Sequence, residues 1–202
     1  MPVESLVSHR SPVMSDNAYP PTLLRRRFLR GAAGFAGVLL APVGRVCAQS
    51  LPARTLFFVH THTGETLRAD YFSGGIYRPG GLARVDRFLR DFRSGEVRAI
   101  DPRLLDILYR LQVLADRPAT YEVISGYRSP QTNAALHRAS GGVAEHSLHM
   151  EGRAIDVRMS GFSTRRLRDL ALALRSGGVG YYARSDFIHL DTGRPRSWGD
   201  LA

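Results

Sequence analysis

The chain has 202 residues, of which 44% are hydrophobic, and this is enough for one domain with an ordinary core. All 28 basic side chains are arginine, and the formal net charge of +10 suits an anionic partner. The single cysteine excludes an intramolecular disulfide framework and a thiolate metal centre.

The first 48 residues have the order of a secretory signal, in which a charged segment precedes an apolar segment and a small-residue cleavage site. Residues 25–30 read Arg-Arg-Arg-Phe-Leu-Arg, which resembles a twin-arginine signal, and residues 31–43 are mostly Gly, Ala, Val and Leu. Val46 and Ala48 place small residues at the −3 and −1 positions. We therefore predict a twin-arginine-type signal peptide with a preceding N-terminal extension over 1–48, and one folded domain over 49–202.

Two other interpretations of this segment are weaker. A membrane anchor needs about 20 apolar residues, whereas the apolar segment covers only residues 31–43. A lipoprotein site at Cys47 is disfavoured because Arg45 occupies a position that requires a small apolar residue. The mature protein is thus expected in the periplasm, without a stable membrane span and with the twin-arginine translocase as its export partner. Nucleic acid is not an expected partner there, whereas the cell wall is rich in carboxylates.

A β-hairpin and an amphipathic helix are predicted first in the domain. Residues 55–60 and 65–71 are strand-like and flank Thr63-Gly64. Apolar residues then recur at helical spacing over 81–93.

The remaining elements mix helices and strands. Asp101-Pro102 is typical of a helix start, and the helix it begins should stop before Pro118. Because there is no regular βαβ repeat, we predict a single-domain α+β fold, with a central antiparallel sheet and flanking helices. The other predicted elements are strands at 121–125, 154–158, 179–182 and 187–191, a short helix at 132–137, and a helix from Ser163 or Thr164 that ends at Gly177-Gly178.

Two histidines and one aspartate are the strongest candidates for a chemical site. His149 lies in a loop, and Asp156 lies in the apolar strand that follows. His189 lies in another apolar strand and faces away from its two apolar neighbours. Burying a carboxylate with two imidazoles is costly unless they bind a metal or one another. The spacing leaves open a metal centre, a hydrogen-bonded Ser-His-Asp cluster and a satisfied core histidine.

The pattern around these residues resembles a known signature. Ser147-x-His149-x-x-Gly152-x-Ala154-x-Asp156 matches SxHxxGxAxD, which marks zinc peptidases of the LAS/M15 type. The chain after residue 54 further resembles the YcbK/MepK-type murein endopeptidases, an M15-related family. The matching segments are 62–65, 89–93, 100–102, 125–130, 177–182 and 187–193.

The resemblance implies an LAS/M15-like zinc peptidase fold in which His149, Asp156 and His189 bind Zn²⁺. It also implies that Arg128 points into the cleft, where a guanidinium could hydrogen-bond a carbonyl or a carboxylate of the substrate. A loop-bracing ion pair is the alternative for Arg128. Trp198, with Arg194 and Arg196, could form a lip of the cleft or pack the C-terminus.

The general base has two candidates. Asp186 lies three residues before His189, where dipeptidases of the wider family carry a glutamate. Asp191 belongs to the family's His-x-Asp-Thr-Gly motif and lies on the same strand face as His189, either as a base or as a partner that orients the imidazole. We favour Asp191 and keep Asp186 as the rival.

The function implied by the resemblance is that of a zinc metallopeptidase that hydrolyses peptide cross-links of peptidoglycan. Its substrate would be the peptide stems of the wall. A D-Ala carboxypeptidase acting on stem termini is one alternative. A non-catalytic, zinc-stabilised wall-binding module is the other.

Overall fold

A computed structural model describes residues 52–140 and 144–200, so the predicted signal peptide lies outside the described residues. The described part contains eight strands, four α-helices and one short 3-10 helix. In chain order these are β1 (Arg54–His60), β2 (Thr66–Ser73), β3 (Ile76–Tyr77), α1 (Pro79–Phe88), α2 (Pro102–Leu114), β4 (Thr120–Ser125), α3 (Pro130–Ser140), the 3-10 helix (Leu148–Glu151), β5 (Ala154–Met159), α4 (Thr164–Leu174), β6 (Gly178–Tyr182), β7 (Phe187–Asp191) and β8 (Arg196–Gly199).

All eight strands belong to one sheet in the order β3-β2-β1-β4-β5-β7-β6-β8. Five neighbouring pairs are antiparallel, as predicted, while β1 pairs with β4 and β6 pairs with β8 in parallel. The predicted single-domain α+β fold is confirmed. The two parallel pairs and the short strands β3 and β8 were not predicted, because pairing between distant segments leaves no local pattern.

The hydrophobic core lies on one face of this sheet. Helix α1 packs on β2, α2 packs on β1 and α4, and α4 packs on β5, β6 and β7. Strand β5 contributes Ile155 and Val157 to this core, and β7 contributes Ile188 and Leu190. Because side chains alternate along a strand, the residues between them face the other side of the sheet.

The helix ends partly follow the sequence prediction. The side chains of Asp101 and Ser163 accept hydrogen bonds from backbone N–H groups in the first turns of α2 and α4, so both predicted caps are confirmed. Helix α1 ends at Phe88 rather than 93, and α3 extends beyond the predicted 132–137. Helix α4 ends with Arg175 in a left-handed conformation (φ 48°), so the prediction that Gly177-Gly178 ends it was wrong.

In the described parts of the chain, no helix combines the length and apolarity needed to cross a membrane.

Candidate metal centre and catalytic cleft

One row of residues crosses five strands of the sheet and defines the candidate site. The register pairs Ser125 with Asp156, Asp156 with His189, His189 with Gly180, and Gly180 with Trp198. These residues belong to β4, β5, β7, β6 and β8, so each strand contributes one member. The row lies on the face of the sheet opposite the core, since its members alternate with the core residues of β5 and β7.

His149 joins this row from the 3-10 helix, and it is only 3% exposed. The side chain of Ser147 accepts a hydrogen bond from the His149 backbone N–H and caps this short helix. Gly152 ends it with φ 68°, and a Cβ atom there would lie 2.3 Å from the carbonyl oxygen of Ala99. Only glycine fits this position, which gives a physical reason for the glycine of the signature.

Three potential metal-ligand atoms converge at the floor of the cleft. Nδ1 of His189 lies 2.9 Å from Oδ1 of Asp156, and Nε2 of His149 lies 3.3 Å from the same oxygen. The two imidazole nitrogens are 3.2 Å apart. In a tetrahedral zinc site with Zn–N and Zn–O distances of about 2.1 Å, ligand atoms lie about 3.4 Å apart. The three residues therefore have the chemistry and the spacing that a small divalent cation requires.

In each imidazole one nitrogen faces the candidate centre and is called the inner nitrogen. The other, outer nitrogen binds a neighbouring group, and this bond determines the tautomer. His149 Nδ1–H donates to the carbonyl oxygen of Gly126 at 2.7 Å, and His189 Nε2–H donates to Oδ2 of Asp191 at 3.1 Å. Both acceptors require the proton to lie on the outer nitrogen. The inner nitrogens consequently face the carboxylate of Asp156, an arrangement that requires a positive charge between them, carried by a proton or by a metal ion.

The electrostatics of the centre lead to the same conclusion. Burial opposes the charged form of His189, but hydrogen bonds to Asp156 and Asp191 outweigh it and raise its pKa to about 9. Burial likewise opposes the charged form of Asp156, yet His149 and His189 hold its pKa well below the usual range. The surroundings thus favour positive charge at the point where the three side chains meet.

Asp191 lies behind His189 and is completely buried. Its carboxylate accepts hydrogen bonds from the backbone N–H groups of Gly178 and Gly193, from both terminal nitrogens of Arg196, and from His189. Although burial opposes the charged form, these bonds hold its pKa well below the usual range. A carboxylate that accepts five hydrogen bonds has no lone pair directed at the cleft. The geometry therefore suits a residue that orients His189 and does not suit a general base.

Two glycines of β6 allow β8 to reach the site. A Cβ atom at Gly178 would lie 2.4 Å from both Arg196 and Asp191, and one at Gly180 would lie 2.7 Å from the Trp198 ring. The side chains of β8 therefore cross over β6 and contact β7. This role of the two glycines was not predicted, although alternating glycines inside an apolar strand indicate a close approach of another backbone or side chain.

The structure does not bring Asp186 to the candidate metal centre. Its side chain is 63% exposed and accepts a hydrogen bond from Thr164 Oγ1. It lines a separate surface pocket together with Glu122 and Arg158. It lies in the turn before β7 with a left-handed backbone (φ 49°), and its carboxylate is 3.8 Å from Nη1 of Arg158.

Arg128 lies beside the three converging side chains and is 8% exposed. Its Nη2 lies 3.8 Å from Oδ2 of Asp156, and its hydrogen bonds to Asn133 (3.3 Å) and Ser125 (3.5 Å) are long. Its Nε has no protein partner among the described residues. Arg128 thus lines the cleft beside the three converging side chains.

The loop that carries Arg128 is clamped to the segment after α1. The backbone N–H of Tyr127 donates to the carbonyl oxygen of Leu89 at 2.7 Å, and that of Ser129 donates to the buried carboxylate of Asp91 at 2.9 Å. A Cβ atom at Gly126 would lie 2.6 Å from the Leu89 oxygen. Ending α1 early therefore frees the backbone groups that hold the Arg128 loop.

The cleft above the centre has a volume of about 620 Å³. Trp198 and Arg196 line it, as expected for a lip, whereas Arg194 is not among its lining residues. Tyr182 and Phe187 form an aromatic wall that the sequence analysis did not identify. Further lining residues are Arg128, Ala144, His146, Ser147, Leu148, His149, Asp156, Ser185, His189 and Asp191.

The comparison with protein families decides the classification. A family model of the Peptidase_M15_2 group, described as peptidoglycan L,D-endopeptidase MepK, matches residues 48–198. This chain belongs to that family. The predicted resemblance to this type of murein endopeptidase is thereby confirmed.

Individual members of the family are similar over almost their whole length. The peptidoglycan L,D-endopeptidase MepK of Escherichia coli strain K12 is 42% identical over 175 residues, which cover 86% of this chain and 96% of that protein. The probable peptidoglycan L,D-endopeptidase MepK of Haemophilus influenzae is 39% identical over 176 residues, with 86% and 95% coverage.

The different surroundings of the two aspartates lead to a direct prediction. Asp191→Asn should lower zinc affinity by about 10- to 100-fold, because His189 loses the carboxylate that orients it. Asp186→Asn is the matched control and should bind zinc as the wild type does, since its side chain lies in another pocket. Zinc retained after dialysis against a graded series of chelator concentrations measures the difference. Equal retention by both variants would contradict the role assigned to Asp191.

Proposed function

We propose that this protein is a zinc-dependent peptidoglycan endopeptidase that cleaves cross-links between peptide stems. The observation that supports it most is the convergence of His149, Asp156 and His189 at the floor of an open cleft, with one potential ligand atom from each close to the other two. Membership of the endopeptidase family supports the substrate class. A purely structural cluster would not need an adjacent guanidinium with unused donors.

The donor set is the reason to propose zinc. Two imidazole nitrogens and one carboxylate oxygen would hold it, which is a common set for catalytic zinc and leaves a position for the substrate or water. When bound, zinc supplies Lewis-acid chemistry, because it polarises a carbonyl group and makes water a stronger acid near neutral pH. Asp191 and the carbonyl oxygen of Gly126 hold the two imidazoles in the required tautomers.

Arg128 would bind the oxygen of the scissile carbonyl as negative charge develops on it. The guanidinium has fixed planar donors, and its surroundings are largely buried, which strengthens such a bond. Its position next to Asp156 places it within reach of any group held at the centre. We assign Asp191 to positioning His189 and assign no catalytic role to Asp186.

The bond class follows the names of the relatives, which are L,D-endopeptidases. We propose that this chain likewise cleaves bonds that join an L centre to a D centre. A cross-link between two diamino acids has this stereochemistry, whereas one from D-Ala to the D centre of a diamino acid does not. A carboxypeptidase would instead release a terminal residue, and a binding module would release nothing.

Muropeptide dimers of defined linkage test the function. Residues 49–202 should convert dimers linked between diamino acids to monomers and leave D-Ala-linked dimers intact. His149→Ala, Asp156→Ala and His189→Ala should each lose zinc and cleavage, because two remaining ligands hold the ion too weakly. The exposed His62→Ala is the control and should retain both. Release of single amino acids, or turnover that persists after a chelator has removed the metal, would overturn the proposal.

A second prediction concerns the guanidinium. Arg128→Lys should keep zinc and fold but lower kcat on the order of 10²- to 10³-fold, because the ammonium cannot reproduce the planar donors. The measurement is kcat and KM on the cleaved dimer, with zinc content measured in parallel. An unchanged kcat would remove Arg128 from the mechanism.

We further propose export to the periplasm by the twin-arginine route. Replacing Arg25 and Arg26 together by lysine should leave precursor in the cytoplasm, because the translocase recognises the paired guanidinium groups. Arg10→Lys, upstream of the motif, serves as the control and should be exported normally. Immunoblots of cell fractions measure the precursor and the mature form. Because Arg26 and Arg27 also form a consecutive pair, a triple variant that includes Arg27→Lys is tested as well. Normal export of the triple variant would argue against this route.

A further inference from the structure

Tyr182 stands at the rim of the cleft and is held there by its neighbours. It pairs with Phe187 across the turn that joins β6 to β7, and the two rings stack with centroids 4.7 Å apart. The Tyr182 side chain lines the cleft together with the three converging side chains and Arg128.

One hydrogen bond determines where the Tyr182 hydroxyl can donate its proton. The indole Nε1–H of Trp198 donates to the Tyr182 oxygen at 3.0 Å. Because an indole nitrogen can only donate, the phenol oxygen must be the acceptor. The hydroxyl proton is then left to point elsewhere, and among the described residues it has no protein acceptor. The cleft is the space into which it can donate.

Trp198, which binds the Tyr182 hydroxyl, is itself in contact with three neighbouring residues. The Trp198 ring lies against Gly180, where a Cβ atom would be 2.7 Å away, and its centroid is 5.1 Å from that of His189. The guanidinium of Arg196 covers the ring at 4.8 Å while it bonds to Asp191. The position of the Tyr182 oxygen is therefore coupled, through Trp198, to the strand that carries His189.

We propose that Tyr182 is a further catalytic residue, whose hydroxyl donates a hydrogen bond to the scissile carbonyl oxygen as negative charge develops there. This inference rests on the proposed endopeptidase function. Tyr182 and Arg128 then supply two donors to one oxygen, a phenol and a guanidinium. Trp198 is a positioning residue that keeps the phenol proton directed into the cleft. A donor aimed in advance needs no reorientation when the charge forms, which is the condition for effective stabilisation of a transition state.

Tyr182→Phe tests the proposal, because it removes only the hydroxyl and keeps the ring that stacks on Phe187. We expect kcat on the cleaved dimer to fall on the order of 10²-fold, with KM and zinc content unchanged. An inhibitor that carries a phosphinate in place of the scissile amide should lose affinity by a similar factor, while the cleaved monomers bind as before. Tyr181→Phe is the matched control, because this neighbouring ring faces α4 and lies under Arg168.

Trp198→Phe removes the hydrogen bond that orients the Tyr182 hydroxyl but keeps an aromatic ring at the position. It should lower kcat less than Tyr182→Phe does, and the double variant should be no slower than Tyr182→Phe alone. Wild-type kcat in Tyr182→Phe, a defect in KM alone, or loss of zinc by that variant would each overturn the proposal and leave the endopeptidase function standing. If the wild-type protein cleaves neither dimer, both the function and this inference fail.

Discussion

The structure depends on one unfavourable arrangement, in which two imidazole nitrogens and a carboxylate oxygen face one another within 3.3 Å. These buried groups are stable together only with a positive charge between them, carried by a proton or by a metal ion. The protein maintains this arrangement by fixing the outer nitrogen of each ring with its own acceptor, a backbone carbonyl for His149 and a carboxylate for His189. The candidate metal centre therefore depends on groups that bind the outer nitrogens of the two imidazoles.

Most of the surrounding architecture serves to hold those groups. Asp191 is kept charged and buried by backbone N–H groups and by Arg196. Arg196 reaches it only because Gly178 has no side chain. The same absence of a side chain at Gly180 lets Trp198 lie against β6 and approach His189. The C-terminal strand therefore contributes to the site although it lies at the edge of the sheet, two strands away from His189.

The two faces of the sheet carry different groups of residues. Its core face carries the apolar residues that pack against α1, α2 and α4, and the other face carries the row from Ser125 to Trp198. Substitutions in the row from Ser125 to Trp198 are therefore expected to disturb the core less than substitutions on the core face do. The clamp between Asp91 and the Arg128 loop links the two faces, because the segment after α1 also holds this loop.

The sequence by itself determined the class of fold and the candidate ligands. Alternation in the strands, the caps at Asp101 and Ser163, and the spacing from His149 to Asp156 are local features, and local patterns report directly on local structure. Only the tertiary structure decided which of the two candidate carboxylates lies next to His189. The sequence left Asp191 and Asp186 as rivals, since both are carboxylates close to His189 along the chain. Only the folded chain shows that one is buried behind the imidazole and the other faces a different pocket. The roles of Gly178, Gly180 and Tyr182 likewise depend on pairing between β6, β7 and β8, and register between strands is a property of the whole sheet.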